Sequence, residues 1–507
     1  KHKRQRFSFC SAHISRRKLM SILSIDAGTT GVTALIISGS GEILSRGYTE
    51  FEQHFPQPGW VEHDPEQIWQ ATLSSVKLAV QGHSEKPTCI GITNQRETAV
   101  IWDRKDLSSP TKAIVWQDRR TSVFTEELQD KNKGDWIRKC TGLNIDPYFT
   151  ASKFLWWQRN HPEIWAGVES GQYALGTIDS YLVARISGGN SHITDASNAS
   201  RTQLMSLETG DWDEELLANF GIPKSALPEI TPCWGELADS DPEHFLGLEL
   251  PITGMAGDQQ AALFGQTGFD LGASKCTYGT GAFILTNTQD EIVISDHGLL
   301  ATVAWMSPDK HITYAAEGSV FVAGAAVQWL RDKLKIIDSA PAVEDLAKKA
   351  GDSDGVVFVP ALTGLGAPFW NAEIRGSLLG ITRGSTDSNL AWATLEAIAF
   401  QVKAVVDAMA EDAGKSVAEL RVDGGAAAND TMMQIQADLI GAKVVRAKNL
   451  ESTGFGAGLL AGLGSGIWSS LDELRELNPA RQEFAPKVDR QASYERWLEA
   501  VEVTSKF

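Results

Sequence analysis

Residues 24–32 read SIDAGTTGV: an apolar strand closing at Ile25, Asp26 at its exit, then Gly28 and two hydroxyls, Thr29 and Thr30. A second Gly-Thr turn, YGTGAF at residues 278–283, opens the later half of the chain. Both turns lie between strands. Neither leads into the Gly-Lys-Ser/Thr of a P-loop nor into the helix of a dinucleotide fingerprint. Glycine and threonine are common in ordinary hairpins, so either turn alone reads as one. Together with VDGGAAAN at residues 422–429, a glycine pair leading into a helix, they amount to three amide-rich turns, enough to enclose a nucleotide. Asp26 then has a physical reason to be there. A carboxylate repels a triphosphate unless a cation intervenes, and Mg²⁺ takes one or two carboxylates together with waters and phosphate oxygens.

Length and composition bound the alternatives. The 507 residues, 42% hydrophobic and 22% charged, exceed one ordinary domain and suggest two. A formal charge of −18 argues against nucleic acid or an anionic membrane surface as the main partner. The sequence contains no apolar run of the roughly 18 residues that membrane insertion requires. Five scattered cysteines, Cys10, Cys89, Cys140, Cys233 and Cys276, lack metal-ligand spacing and point to a reducing, cytoplasmic setting. Residues 1–20 are basic and contain no acid, and they lack the apolar stretch of a secretory signal. They are expected to be a non-native or disordered leader, with a transit peptide as the alternative, since Met20 stands directly before the first strand.

From Ser21 onward strands and helices alternate. DPEQIWQATLSSVKLAV, residues 64–80, offers Asp64 as a cap and Pro65 at the first helical position. A similar order restarts after residue 267, which suggests two α/β halves, 21–266 and 267–507, related by duplication and facing each other across a ligand cleft.

A second group of residues suits a small polyol. GITNQRET, residues 91–98, sets the donor fork of Arg96 beside the acceptor Glu97, although adjacent opposite charges are often no more than a surface pair. GMAGDQQAALFG, residues 254–265, places Asp258 and Gln259 between a glycine turn and an apolar helix. Asp258 there serves equally as a helix cap or as a general base for phosphoryl transfer to a hydroxyl. Trp116 in IVWQDRR (114–120) and Phe283 can wall the carbon face of such a substrate, or simply belong to the core.

GWVEHDPEQIW, GITNQRET, AIVWQDRRT, GLNIDPYF, GDQQAALFGQ, YGTGAF, GLGAPFW and RVDGGAAAN occur in this order from residue 59 to 429. The set resembles the FGGY family of carbohydrate kinases. Residues 376–400 are similar to that family's C-terminal signature. The resemblance implies an actin-like (ribonuclease H-like) α/β fold, with two duplicated ATPase domains around a central cleft that closes over ATP, Mg²⁺ and glycerol. The first domain would carry the polyol and phosphate, the second the nucleotide. It implies polyol binding by Arg96, Glu97, Trp116, Tyr148, Asp258, Gln259 and Phe283, with Asp258 as catalytic base. Nucleotide contacts carry over to Thr29, Thr30, Gly31, Thr280, Gly324, Gln328, Gly425 and Asn429, and metal orientation to Asp26 and Asp258. Kinship also implies a homodimer or homotetramer.

Two departures from the family pattern stand out. Thr33 occupies a position where an arginine is usual, removing a cation near the phosphate turn, and Gly31 replaces a common serine. The acidic stretch CWGELADSDPEHFLGLELPITG, residues 233–254, lacks the Gly-rich, Arg-bearing loop that binds a sugar bisphosphate regulator in some relatives, so no such inhibition is expected. The alternatives are a kinase for another polyol or a ketose, and an actin-like nucleotide switch without kinase activity.

Overall fold

A computed structural model describes residues 20–130, 133–371 and 373–507. The expectation for the leader lies outside the described residues, apart from Met20. The strand closed by Asp26, β1 (Ser21–Ala27), and its partner β2 (Gly31–Ser38) are buried along almost their whole length. Near-continuous apolar runs of this kind belong to strands covered on both faces. The two pair antiparallel from Ser21–Ser38 to Ala27–Val32, and β3 (Ile43–Glu50) continues the meander. On the other side of β1, β4 (Cys89–Asn94) runs parallel. After β5 (Trp234–Asp239) comes β6 (Pro251–Gly257), which lies parallel to β4 and antiparallel to β5, giving the six-stranded order β5-β6-β4-β1-β2-β3.

The second sheet repeats this plan. β7 (Ser274–Tyr278) and β8 (Ala282–Gln289) form the hairpin. β9 (Leu300–Met306) and β10 (Ile312–Val320) follow, with β10 antiparallel to both β8 and β9. β11 (Glu419–Asp423) and β12 (Lys443–Ala447) add in parallel beyond β7, and β13 (Ala480–Phe484) ends the sheet antiparallel. The seven-stranded order is β9-β10-β8-β7-β11-β12-β13. β7, β8 and β10 thus stand where β1, β2 and β3 stand, and β11 and β12 where β4 and β6 stand, with β9 an added edge. The duplication expected from the two Gly-Thr turns is present in the topology.

Helices fill the spaces between these sheets. α1 (Pro65–Gln81) begins as its sequence predicts, with the Asp64 carboxylate accepting the Glu66 amide at 3.0 Å, and packs on β2 and β3. α2 (Asp258–Gly265) follows β6 directly. The second half contributes α3 (Gly324–Trp329), the long α4 (Asp387–Ala413), α5 (Asp430–Ile440) and α6 (Ser452–Gly464). α2 and α6 pack against each other, α6 against β1, β4 and β6, and α2 reaches β7, β8 and β9. Each half therefore lends one helix to the other's sheet. Gly456 permits this approach, because a Cβ there would lie 1.8 Å from the carbonyl oxygen of Ala261. No helix among the described residues is long and apolar enough to cross a membrane.

Ala113–Ile114 is extended in a sheet, and Trp116 follows in a turn. The Val115 carbonyl accepts the Asp118 amide, and the Asp118 carboxylate takes the amide of Val61, so this chain is held by a turn rather than a ladder.

Candidate active site

Each Gly-Thr turn is closed by a backbone hydrogen bond from its first glycine, across four residues in the first turn and three in the second. Gly28 N–H donates to the Gly31 carbonyl at 3.0 Å, and Gly279 N–H to that of Gly281 at 2.8 Å. Thr29 and Thr280 sit at matching positions, both bordering one cavity of about 420 Å³ between the halves. The Gln95 side chain donates to the Gly28 carbonyl at 3.0 Å and its amide to the Ala27 carbonyl at 2.8 Å, tying the first turn to the end of β4.

All seven residues expected to hold the polyol line this cavity: Arg96, Glu97, Trp116, Tyr148, Asp258, Gln259 and Phe283. The aromatic wall is built from both halves. Trp116 meets Tyr148 edge-on at 5.7 Å and Phe283, on β8, at 6.2 Å. Its indole N–H donates to the Thr29 hydroxyl at 3.1 Å, joining the carbon wall to the first turn.

Arg96 and Glu97 are not a surface pair. Both are about 2% exposed, and Glu97 has a left-handed backbone, φ 59°, strain that surrounding structure must over-determine. The Arg96 guanidinium lies in a bidentate pair with Glu317 on β10, at 2.6 and 2.9 Å, and its Nε is 3.1 Å from the Asp258 carboxylate. Arg201 pairs with Glu97 at 2.7 Å and with Glu317 at 3.0 Å. Burial opposes the charge on Glu317, but Arg201 and Arg96 outweigh it and hold its pKa down at about 2. Burial leaves the Glu97 carboxyl raised despite the same two arginines. The sequence reading missed Arg201 and Glu317. The available signal was a lone acid inside the otherwise apolar strand ITYAAEGSV, where a charge requires a partner.

Asp258 opens α2, with Gly257 before it as the cap residue. Its carboxylate accepts the Gln259 amide at 2.7 Å from the first helical position, so Asp258 is not the helix cap that its sequence equally allowed. It also keeps 28% of its side-chain surface open, against 1% for Arg96. Burial raises its pKa, with Arg96 and Lys275 working against the rise. Lys275, fully buried and likewise missed from sequence, donates to Gln259 Oε1 at 2.5 Å and to the Thr277 hydroxyl at 3.1 Å. The result is a floor of three cations and three carboxylates in which Asp258 is the most open of the acids lining the cavity. Such a group can accept a proton from a bound hydroxyl.

Asp26 stands at the end of β1 within electrostatic reach of Asp258. Burial, Asp258 and Glu451, opposed by Arg46, raise its pKa to about 8. An acid pushed up chiefly by burial and further by neighbouring carboxylates fits a divalent cation, which would offset both. Among the described residues no group of three or more His, Cys, Asp or Glu side chains is placed to hold a metal. Two carboxylates leave the other positions of an octahedral ion to water and phosphate. Thr33 is buried across from Tyr48 and Asp26.

The other nucleotide candidates lie outside the cavity lining. Thr30 is exposed beside Thr29, and Gly31 starts β2. Gly324, at the start of α3, donates to the Gly279 carbonyl at 3.0 Å, seating that helix on the second turn, and Gln328 is exposed one turn further along. Gly425 is exposed with open space at its Cα. Asn429 caps α5, its oxygen accepting the Met432 amide at 2.8 Å.

Comparison with known proteins matches the FGGY family of carbohydrate kinases, N-terminal domain, to residues 21–265 and its C-terminal domain to residues 274–465. A glycerol kinase of Bdellovibrio bacteriovorus is 49% identical over 95% of this chain and 98% of its own. One from Saccharolobus islandicus is 47% identical over 95% of this chain and 96% of its own. Among solved structures, Plasmodium falciparum glycerol kinase with ADP superposes with a TM-score of 0.89 at 38% identity, covering 96% of this chain and 98% of that one. Gluconate kinase from Lactobacillus acidophilus, 23% identical with a TM-score of 0.86 over 96% of this chain and 98% of its own, shares the fold.

Proposed function

The chain belongs to the FGGY family of carbohydrate kinases, and on that footing we propose that it transfers the γ-phosphoryl group of ATP to a primary hydroxyl of glycerol. The observation carrying this reading is the convergence of both Gly-Thr turns and all seven acceptor residues on one cavity shared by the two halves.

Arg96 and Glu97 offer donor and acceptor to neighbouring hydroxyls, and Trp116, Tyr148 and Phe283 exclude water from the carbon face. Asp258 receives the proton of the attacking hydroxyl as its oxygen bonds to the γ-phosphorus and the bond to the ADP oxygen breaks. The turns at Thr29 and Thr280 hold the phosphates from either side, with Gly31, Gly324, Gln328, Gly425 and Asn429 extending the nucleotide site. Asp26 and Asp258 would hold Mg²⁺, which when bound neutralises phosphate charge. The four described cysteines, Cys89, Cys140, Cys233 and Cys276, are free, which suits the reducing, ATP-supplied cytoplasm.

The test is glycerol-dependent ADP release in a coupled assay, run beside a panel of longer polyols and ketoses. Asp258→Asn should lower kcat by about 10²–10⁴ while metal-free nucleotide binding persists. ADP release indifferent to glycerol, or an unimpaired variant, refutes the reading.

A further inference from the structure

Lys153 is fully buried in the helix Thr150–Asn160, and no part of the reaction above uses it. Its ammonium donates to three successive backbone carbonyls, those of Pro147 at 3.0 Å, Tyr148 at 2.6 Å and Phe149 at 3.1 Å. These carbonyls converge on one point. Their negative ends repel unless a cation or a cluster of donors lies between them, so the bend of the chain through residues 147–149 depends on what occupies that point.

That bend carries Tyr148, which presents its ring to Trp116 and its hydroxyl to Arg96 at 3.4 Å. The same segment is tied to the acceptor site at its far end, where the Thr150 hydroxyl donates to the Glu97 carbonyl at 3.2 Å. Before it, the Asp146 carboxylate accepts the Tyr148 amide at 2.8 Å and pairs with Arg119 at 2.6 Å. Phe149 and Tyr148 pack ring to ring at 5.0 Å under the Arg201 guanidinium.

We propose that Lys153 is a positioning residue for the acceptor substrate: its ammonium clamps the Pro147–Phe149 backbone and thereby aims Tyr148 into the polyol pocket. Burial lowers the lysine pKa to about 7, with Glu97, Asp118 and Asp146 opposing the loss of charge. A buried ammonium with every N–H committed to backbone acceptors is suited to holding a loop and leaves no donor for a substrate.

The inference rests on the glycerol kinase reading, and its test separates the two. Glycerol turnover by the unaltered protein decides that reading first. Lys153→Met should then raise the glycerol KM by roughly tenfold or more, the scale of loss from a slightly misplaced binding group, with the ATP KM little changed. Because the lysine acts through Tyr148, ring and hydroxyl together, its effect should collapse in a Tyr148→Ala background. An even fall in kcat with both KM values unmoved, or an undiminished effect in that background, overturns the proposal. If Lys153→Met does not fold, Lys153→Arg keeps the charge but replaces converging donors with a planar fork, and the same cycle with Tyr148→Ala gives the decision.

Discussion

Replacing Glu317 with glutamine keeps the shape of the side chain and removes the charge that faces two arginines. In the native protein Glu317 engages Arg96 at 2.6 and 2.9 Å and Arg201 at 3.0 Å with no exposed surface. Its pKa falls from the model-compound 4.5 to about 2. At 1.36 kcal/mol per pH unit this corresponds to about 3 kcal/mol of stability at neutral pH. That agrees with the roughly 3–5 kcal/mol lost when one partner of a buried ion pair is removed. The sign follows from the depression: the contribution is complete above pH 4.5 and disappears as pH falls toward 2. Denaturant unfolding at pH 7 should therefore show Glu317→Gln less stable by about 3 kcal/mol, and the gap should narrow by about 1 kcal/mol by pH 3.5. Glycerol KM should rise as well, since Arg96 loses its bidentate anchor. Equal stability at pH 7, or a gap that widens in acid, would refute the account of the charged floor.

Two further substitutions test the elements on either side of that floor. Asp26→Asn should weaken Mg²⁺-dependent nucleotide binding in calorimetry while making the ligand-free protein relatively more heat-stable at pH 8 than at pH 5. The wild-type carboxyl, raised to about 8 by burial beside Asp258 and Glu451, loses its stabilising proton as pH climbs through that value. A stability difference independent of pH would contradict this. Gly257→Ala places a Cβ 2.7 Å from Arg96 Cδ, so the arginine must shift. Steady-state kinetics should show a glycerol KM raised by about tenfold with the ATP KM preserved, and an unchanged glycerol KM would show that Arg96 does not hold the substrate.

Local features were legible before any coordinates. The two Gly-Thr turns lie between strands as read, and Asp64 caps α1 as read, because turn and cap geometry is set by residues a few positions apart. Locality decides less at Trp116, which lies just past the two-residue strand Ala113–Ile114. There the Asp118 side chain takes a backbone amide of Val61 and makes the turn the better arrangement.

The chain alone determined the duplicated α/β plan, since hydrophobic runs and turn residues are properties of neighbours along a line, whereas the full acceptor set followed only from the resemblance of its motifs to a known family. Only the tertiary structure decided how those side chains are charged and held. Glu317 meets Arg96 from the opposite half across 221 positions, and Arg201 reaches Glu97 across 104. A buried charge is stable only when an opposite charge or converging dipoles stand within a few ångströms, and that proximity is created by the packing of the two sheets and the helices they share.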